Sequence, residues 1–80
     1  GLRPTFGRVP RTGAMALSWS MDKLGPMTRS VEDCALVLQA IAGPDGADLS
    51  CVDAPFRWNP RRPLATLRIG VVQRAFDLPA

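Results

Sequence analysis

Two serines stand shortly before the only lysine of the chain, and these side chains can attack a carbonyl carbon. Ser18, Ser20 and Lys23 fall within six residues. A lysine removed from water can take the proton of a serine hydroxyl and so activate it as a nucleophile. The alternation along this stretch places both serines on one face, whereas Lys23 follows at the edge of a turn. The pattern therefore favours a solvated lysine over a catalytic Ser–Lys pair.

The rest of the chain offers no complete catalytic or metal-binding set. It has no histidine, so Ser-His-Asp and Cys-His catalysis are absent, and Cys34 and Cys51 alone cannot form a four-ligand zinc site. Asp45, Asp48 and Asp53 lack the alternating spacing of a calcium loop and are expected to form turns. We therefore predict no catalytic, cofactor-binding or metal-binding residue in this chain. Cys34 is expected to be a small buried thiol, with a disulfide left open as the alternative.

The charge pattern predicts an ordinary solvated surface. Ten basic residues, nine of them arginine, oppose seven acidic ones, giving a net charge of +3. They are spread along the chain, and the adjacent Arg61 and Arg62 are weak evidence for phosphate contact. Gly7, Gly13 and Gly25 do not follow the order of a phosphate cradle. No nucleic-acid partner and no membrane span is expected.

The strongest structural signal is a helix over residues 30–42. Ser30 is a good N-cap, Asp33 can complete a short capping box, and Gly43 suits the left-handed position beyond the helix end. Apolar residues recur at helical spacing and are numerous enough to predict packing on more than one side. Arg29, just before the helix, is expected to pair with Asp22 or Asp33.

The remaining segments predict short strands and a long connector. We expect an extended entry over residues 2–9 that turns at Gly7, a strand or extended segment over 14–24 and a buried strand over 67–72. Residues 44–63 are predicted to form a Pro-rich connector, and Phe56 and Trp58 are expected to anchor this loop to a surface. The predicted fold class is α/β, with short strands around one helix. Because this set of elements closes no sheet, residues 1–80 are expected to form a partial domain.

Several stretches of the chain resemble the amidase-signature family. Residues 1–9, GLRPTFGRV, resemble the family's G-L-[KR]-P-T-[YF]-G-R-V, and Arg11 and Gly13 continue this motif. Residues 18–33 resemble S-x-S-x-D-x-x-G-P-[ML]-[TA]-R-[ST]-V-E-D, and residues 41–48 resemble I-x-G-x-D-x-x-D. The resemblance continues at residues 67–71 and weakens over 54–66. Each motif alone is weak, but their combination is specific.

This resemblance implies a mixed central sheet covered by helices and the hydrolysis of a carboxamide C–N bond. The family uses a serine nucleophile, a second serine in a cis peptide, a lysine base and an oxyanion loop rich in Gly and Ser. All of these parts lie before the position that matches Gly1, so the catalytic residues are expected outside this chain. Lys23 stands where the family often has Gln, and Pro10 replaces the usual Ser. The resemblance implies a cytoplasmic, cofactor-free enzyme acting on a small amide.

Two other functions remain open at this point. The chain can belong to the glutaminase component of a tRNA-dependent amidotransferase, which releases ammonia from glutamine and passes it to partner subunits. It can also be a catalytically dead interaction module. In an active enzyme of this family, residues 1–29 are expected to lie directly after the nucleophile loop and to support the sheet beneath it.

Overall fold

Helices are the only regular elements in the part of the chain that the structure describes. The computed structural model describes residues 1–77 and residue 79. It contains helices at Val31–Ile41 (α1) and Arg74–Asp77 (α2), with a 3₁₀ helix at Leu64–Thr66 between them. Within the described residues there is no β-strand, so the predicted α/β arrangement of short strands around one helix is wrong. None of the described helices has the length and apolar character that crossing a bilayer requires.

The bounds of α1 follow from its capping residues. The Ser30 Oγ accepts a hydrogen bond from the Asp33 N–H at 3.1 Å, which satisfies one of the free donors at the helix start. The Ala42 N–H donates to the Leu38 carbonyl at 2.8 Å, and Gly43 follows at φ +106°. The predicted helix over 30–42 is therefore confirmed to within one residue at each end.

One face of α1 forms most of the small core. Cys34, Ala35 and Leu38 are buried, and Val9 packs with them in the core. The apolar residues on the other faces of the helix remain exposed: Val31, Leu36, Val37 and Ile41. The described residues cover α1 on one face only, so its packing on more than one side, against something large, stays a prediction.

The segment predicted as a strand over residues 14–24 contains a turn. The N–H groups of Met21 and Asp22 both donate to the Ser18 carbonyl, at 3.0 and 2.9 Å. This reversal interrupts the alternation that suggested a strand. Residues 67–72 also form no strand, and all six are exposed. A strand depends on the N–H and C=O groups of a neighbour, and these residues have none within the described chain.

The N-terminal segment makes backbone hydrogen bonds to several other segments. The Leu2 N–H donates to the Pro26 carbonyl at 2.9 Å, and the Arg8 carbonyl accepts from the Gly43 N–H at 3.0 Å. The Gly7 carbonyl accepts from the Val52 N–H at 2.7 Å. These single bonds connect the segment before α1, the residue after its C-cap and the following connector to the N-terminal segment.

The chain remains open despite these contacts. Its accessible surface is 7110 Å², whereas a compact protein of this mass exposes about 4,700 Å². Its radius of gyration is 15.5 Å, against about 12 Å for a compact domain of 80 residues. The chain therefore exposes roughly 2,400 Å² more surface than a compact protein of the same mass, so its core is small for its length.

Candidate functional site

Arg11 connects three separate segments of the chain. Its Nη1 donates to the Trp19 carbonyl at 2.7 Å, and its Nη2 lies 3.3 Å from the Ser50 hydroxyl. Its guanidinium also lies over the Phe6 ring, with Cζ 4.8 Å from the ring centre, which is cation–π geometry. The planar guanidinium suits this role because it presents several donors in fixed directions.

The carboxylate of Asp48 completes this cluster. Its Oδ2 accepts from the Arg11 backbone N–H at 2.8 Å and lies 3.7 Å from the Arg11 Nε. Its Oδ1 accepts from the Ser50 hydroxyl at 2.6 Å and from the Ser50 N–H at 2.9 Å. These bonds, the Ser50 hydroxyl foremost, together with the Arg11 charge, lower the pKa of Asp48 to about 2.

Asp22 organises the backbone of the neighbouring loop. Its carboxylate accepts from the N–H of Leu17 at 2.7 Å and from the N–H of Ser18 at 3.0 Å. The Leu17 bond, then the Ser18 bond, lower the pKa of Asp22, with smaller contributions from the charges of Arg11 and Lys23. Among the described residues Arg29 forms an ion pair with neither Asp22 nor Asp33, so that prediction is wrong. The Asp22 carboxylate binds backbone N–H groups instead.

A hollow of about 480 Å³ lies between this loop and the Arg11 cluster. Met15, Leu17 and Trp19 line it on the apolar side. Lys23 lines its rim, where its Nζ donates to the Met21 carbonyl at 2.8 Å. The contact that the structure gives Lys23 is thus to a backbone carbonyl and not to a serine hydroxyl.

Asp45 and Cys34 also make structural contacts. Asp45 Oδ1 accepts from the N–H groups of Ala47 and Asp48, both at 3.0 Å, and so forms the expected turn. The Cys34 thiol is buried and lies 2.9 Å from the Thr28 hydroxyl, and both Cys34 and Cys51 are free thiols.

The Pro-rich connector lies against the N-terminal segment and α1. The Arg8 guanidinium donates to the Ala54 carbonyl at 2.8 Å. Phe56 and Trp58 line a second hollow, of about 430 Å³, beside the start of α1. Residues 44–63 contain no helix or strand.

Two glycines permit the close approach of neighbouring segments. Gly7 has φ +83°, and a Cβ built on it would lie 2.8 Å from the Ser50 carbonyl oxygen. A Cβ on Gly25 would collide with the Leu2 carbonyl. Both glycines belong to the motifs identified in the sequence, and the structure gives each of them a steric reason.

The described contacts suit a positioning role better than a chemical one. Arg11 and Asp48 hold segments together, and Asp22 holds the turn that follows Leu17. Sequence reasoning placed Arg11 and Asp48 in motifs but missed their contact, because 37 residues separate them. No local pattern spans such a distance, so only the fold brings the two residues together.

Comparison with known proteins gives consistent matches over nearly the whole chain. The family model described as Amidase matches residues 1–79. The chain is 49% identical over 77 residues to the A subunit of a glutamyl-tRNA(Gln) amidotransferase from Thermus thermophilus, covering 94% of this chain and 16% of that protein. It is 51% identical over 79 residues to the protein of the same name from Azotobacter vinelandii, covering 95% and 16%. The chain thus spans about one sixth of the length of these relatives. No solved structure matches it significantly.

Proposed function

Because the chain belongs to the amidase family, we propose that the protein containing it hydrolyses a carboxamide C–N bond. The family match over residues 1–79 is the observation that carries this proposal. The motif residues Gly7, Asp22 and Asp48 support it, since each has a defined structural role here. The enzyme acts in the cytoplasm without a cofactor, on a small amide.

In this proposal the nucleophilic serine, the cis-peptide serine and the lysine base lie outside these 80 residues. Three of the four serines in the chain already have structural roles. Ser30 caps α1, Ser50 binds Asp48, and the Ser18 backbone forms the turn that Asp22 holds. The chain contributes support to the site and no reacting group.

A serine-directed phosphonate or sulfonyl fluoride probe tests this assignment in the intact protein. We expect the probe to abolish release of ammonia from a simple amide and to label one serine outside the chain. Labelling of Ser18, Ser20, Ser30 or Ser50 would contradict the assignment. An intact protein that neither hydrolyses amides nor reacts with the probe would support the alternative of a catalytically dead interaction module.

A second candidate function is the glutaminase component of a tRNA-dependent amidotransferase. Relatives at 46–51% identity are A subunits of glutamyl-tRNA(Gln) amidotransferases, which favours it. Such a component would release ammonia from glutamine and work with partner subunits. Ammonia release from glutamine that rises when the partners are added would support this function. Full hydrolysis of other amides by the protein alone would favour a free-standing amidase.

Residues 1–29 act in this proposal as support for the sheet of the parent enzyme. The carbonyls of Arg8 and Gly7 in this segment accept backbone hydrogen bonds from the N–H groups of Gly43 and Val52, which join it to the loop after α1 and to the connector. The natural protein should then have about six times the mass of this 8.6 kDa chain, since its relatives are about six times longer. Intact mass spectrometry of the protein from its source measures this directly, and a native mass of 8.6 kDa would contradict the proposal.

A further inference from the structure

Acidic residues are missing from a long stretch of this chain. The basic residues are spread over the whole sequence, but the acidic ones are not. Residues 54–76 contain five arginines and no acidic residue, whereas residues 1–53 contain five basic and six acidic residues. The positive net charge therefore comes from the C-terminal part alone. Such an asymmetry of charge is typical of a chain that binds a negatively charged partner.

The five arginines of this stretch are exposed, and no acidic side chain of the described residues pairs with them. They are Arg57, Arg61, Arg62, Arg68 and Arg74. Within the described residues the one ion pair is that of Arg11 with Asp48. Asp77, the first acidic residue after the stretch, accepts instead from the Gln73 amide at 3.1 Å. The five guanidinium groups are thus open to a carboxylate or phosphate from outside these residues.

Two of these arginines lie in a turn whose backbone is restrained. The Asn59 Oδ1 accepts from the Arg61 N–H at 3.1 Å, and the Asn59 carbonyl accepts from the Arg62 N–H at 3.4 Å. A proline on each side of this pair of arginines fixes the local φ angle. Arg57 is five residues from Arg62, so their Cα atoms are at most about 18 Å apart. We call Arg57, Arg61 and Arg62 the arginine turn.

Trp58 lies within the arginine turn and attaches it to the rest of the molecule. Together with Phe56 it lines the second hollow, beside the start of α1, and 39% of its surface remains exposed. Tryptophan and arginine are enriched among the residues that contribute most of the free energy of protein–protein binding. A turn that is restrained before binding also loses little conformational freedom when a partner binds.

The chemistry and the size of the arginine turn favour an acidic protein segment over a nucleic acid. A guanidinium group binds a carboxylate through two parallel hydrogen bonds. Tight binding of a nucleic acid typically uses about six to ten phosphate contacts, and the turn offers three arginines. Residues 1–53 carry more acidic than basic residues, so a nucleic acid that extended beyond the turn would be repelled there.

We propose that the arginine turn is a docking site for an acidic segment of a partner protein. The guanidinium groups bind the carboxylates of Asp or Glu side chains, and the exposed part of Trp58 contacts an adjacent apolar side chain. The turn lies within residues 54–66, where the resemblance to the amidase-signature family weakens. The proposal therefore goes beyond amide hydrolysis and does not depend on it.

Modification of arginine by phenylglyoxal tests the proposal in the intact wild-type protein. Mass spectrometry compares the rates at Arg61 and Arg62 in the native protein, in the unfolded protein and in the native protein with an octaglutamate peptide. We expect similar rates in the native and unfolded protein, and rates at least fivefold lower with the peptide. Slow modification of the native protein alone would overturn the proposal, because its own polypeptide would then cover the turn. Absence of protection by the peptide would also overturn it.

A matched pair of double variants tests the position of the site. Arg61→Gln with Arg62→Gln removes two charges from the arginine turn, and Arg3→Gln with Lys23→Gln removes two charges elsewhere. Fluorescence anisotropy measures the Kd of labelled octaglutamate for the intact protein, and thermal unfolding checks that both variants fold. We expect at least tenfold weaker binding for the first variant only.

Three results of this measurement would overturn the proposal. Unchanged binding by the first variant would exclude the turn as the site. Equal weakening in both variants would mean that the peptide responds to net charge alone. Tighter binding of an eight-nucleotide poly(U) RNA than of octaglutamate at the same salt concentration would identify a nucleic-acid site instead. None of these readouts uses amide hydrolysis, so an inactive protein would not decide the result.

Discussion

The Arg11 backbone N–H and the Asp48 carboxylate meet at 2.8 Å across 37 residues of sequence. The same carboxylate lies 3.7 Å from the Arg11 Nε, so one residue supplies both a backbone and a side-chain contact. This double contact fixes the N-terminal segment to the loop after α1. It is therefore the point at which changes in charge or shape should have the largest effect on the described fold.

Replacement of Arg11 by Lys should destabilise the intact protein. Lysine keeps the charge but cannot reach the Trp19 carbonyl and Ser50 together with a planar fork. We expect a loss of about 1 to 3 kcal/mol in the free energy of unfolding, the range for losing one to two net hydrogen bonds. Denaturant titration measures it. Arg62→Lys is the control, since the described structure gives that side chain no hydrogen bond, and equal losses would refute the role of Arg11.

Asp48 should contribute to the acid sensitivity of the intact protein. Its pKa is about 2 in the folded chain, below the ordinary value of 3.8. Its contribution to stability is then fully present above about pH 4 and is lost as the pH falls toward 2. We expect Asp48→Asn to lower stability at pH 6 and to flatten its decline between pH 4 and 2. Unfolding titrations at several pH values test this, and an unchanged decline in the variant would count against it.

The close approach at Gly7 should make that position intolerant of any side chain. Gly7→Ala adds a Cβ to a residue that already has a left-handed φ of +83°, and this Cβ would lie 2.8 Å from the Ser50 carbonyl oxygen. Gly13→Ala is a matched control, because Gly13 has φ +84° but no atom within 4 Å of its Cβ. We expect about 1 to 2 kcal/mol of destabilisation for Gly13→Ala from the backbone alone, and clearly more for Gly7→Ala. Similar losses of stability for the two variants in thermal unfolding would mean that the Ser50 carbonyl moves away from the new Cβ at little cost.

Loss of the cap on α1 should weaken that helix. Ser30→Ala removes the acceptor for the Asp33 N–H, which costs about 1 kcal/mol. Ser30→Asp keeps an acceptor at this position and should restore most of the stability. Denaturant titration of both variants measures the effect. An alanine variant as stable as the aspartate variant would show that α1 does not depend on this cap.

Asp22 should affect folding at least as much as catalysis. Asp22→Ala leaves the Leu17 and Ser18 N–H groups without their acceptor, so the loop should lose its shape. We expect a lower yield of folded protein and a proportional loss of amide hydrolysis. A well-folded variant with abolished turnover would instead place Asp22 in the catalytic machinery.

The parts of the fold that the sequence predicted are those encoded locally. Helix α1 and its Ser30 cap depend on residues within a few positions of one another, and so does the turn at Gly7. The strand predictions over 14–24 and 67–72 failed because alternation shows only which side chains share a face. Whether a strand forms depends on a neighbour that supplies hydrogen bonds, and the described residues provide none.

Only part of the candidate site could be predicted from the sequence, because its main contacts join residues that are far apart along the chain. The family resemblance selected Arg11, Asp22 and Asp48 as motif residues. It could not indicate that Asp22 binds backbone N–H groups, nor that Ser50 joins Arg11 and Asp48. These contacts depend on the path of the chain after α1, which local patterns do not encode.

The contact between Arg8 and Ala54, 46 residues apart, has a consequence for the order of folding. Helix α1 lies inside the loop that this contact closes. Because helices form in about a microsecond or less, α1 can form first and shorten the remaining flexible chain. We expect closure by Arg8 and Arg11 to come later, since it bears the entropy of a long loop. The folding rate of this region then depends on contact order, and a more stable α1 shortens the search that closure requires.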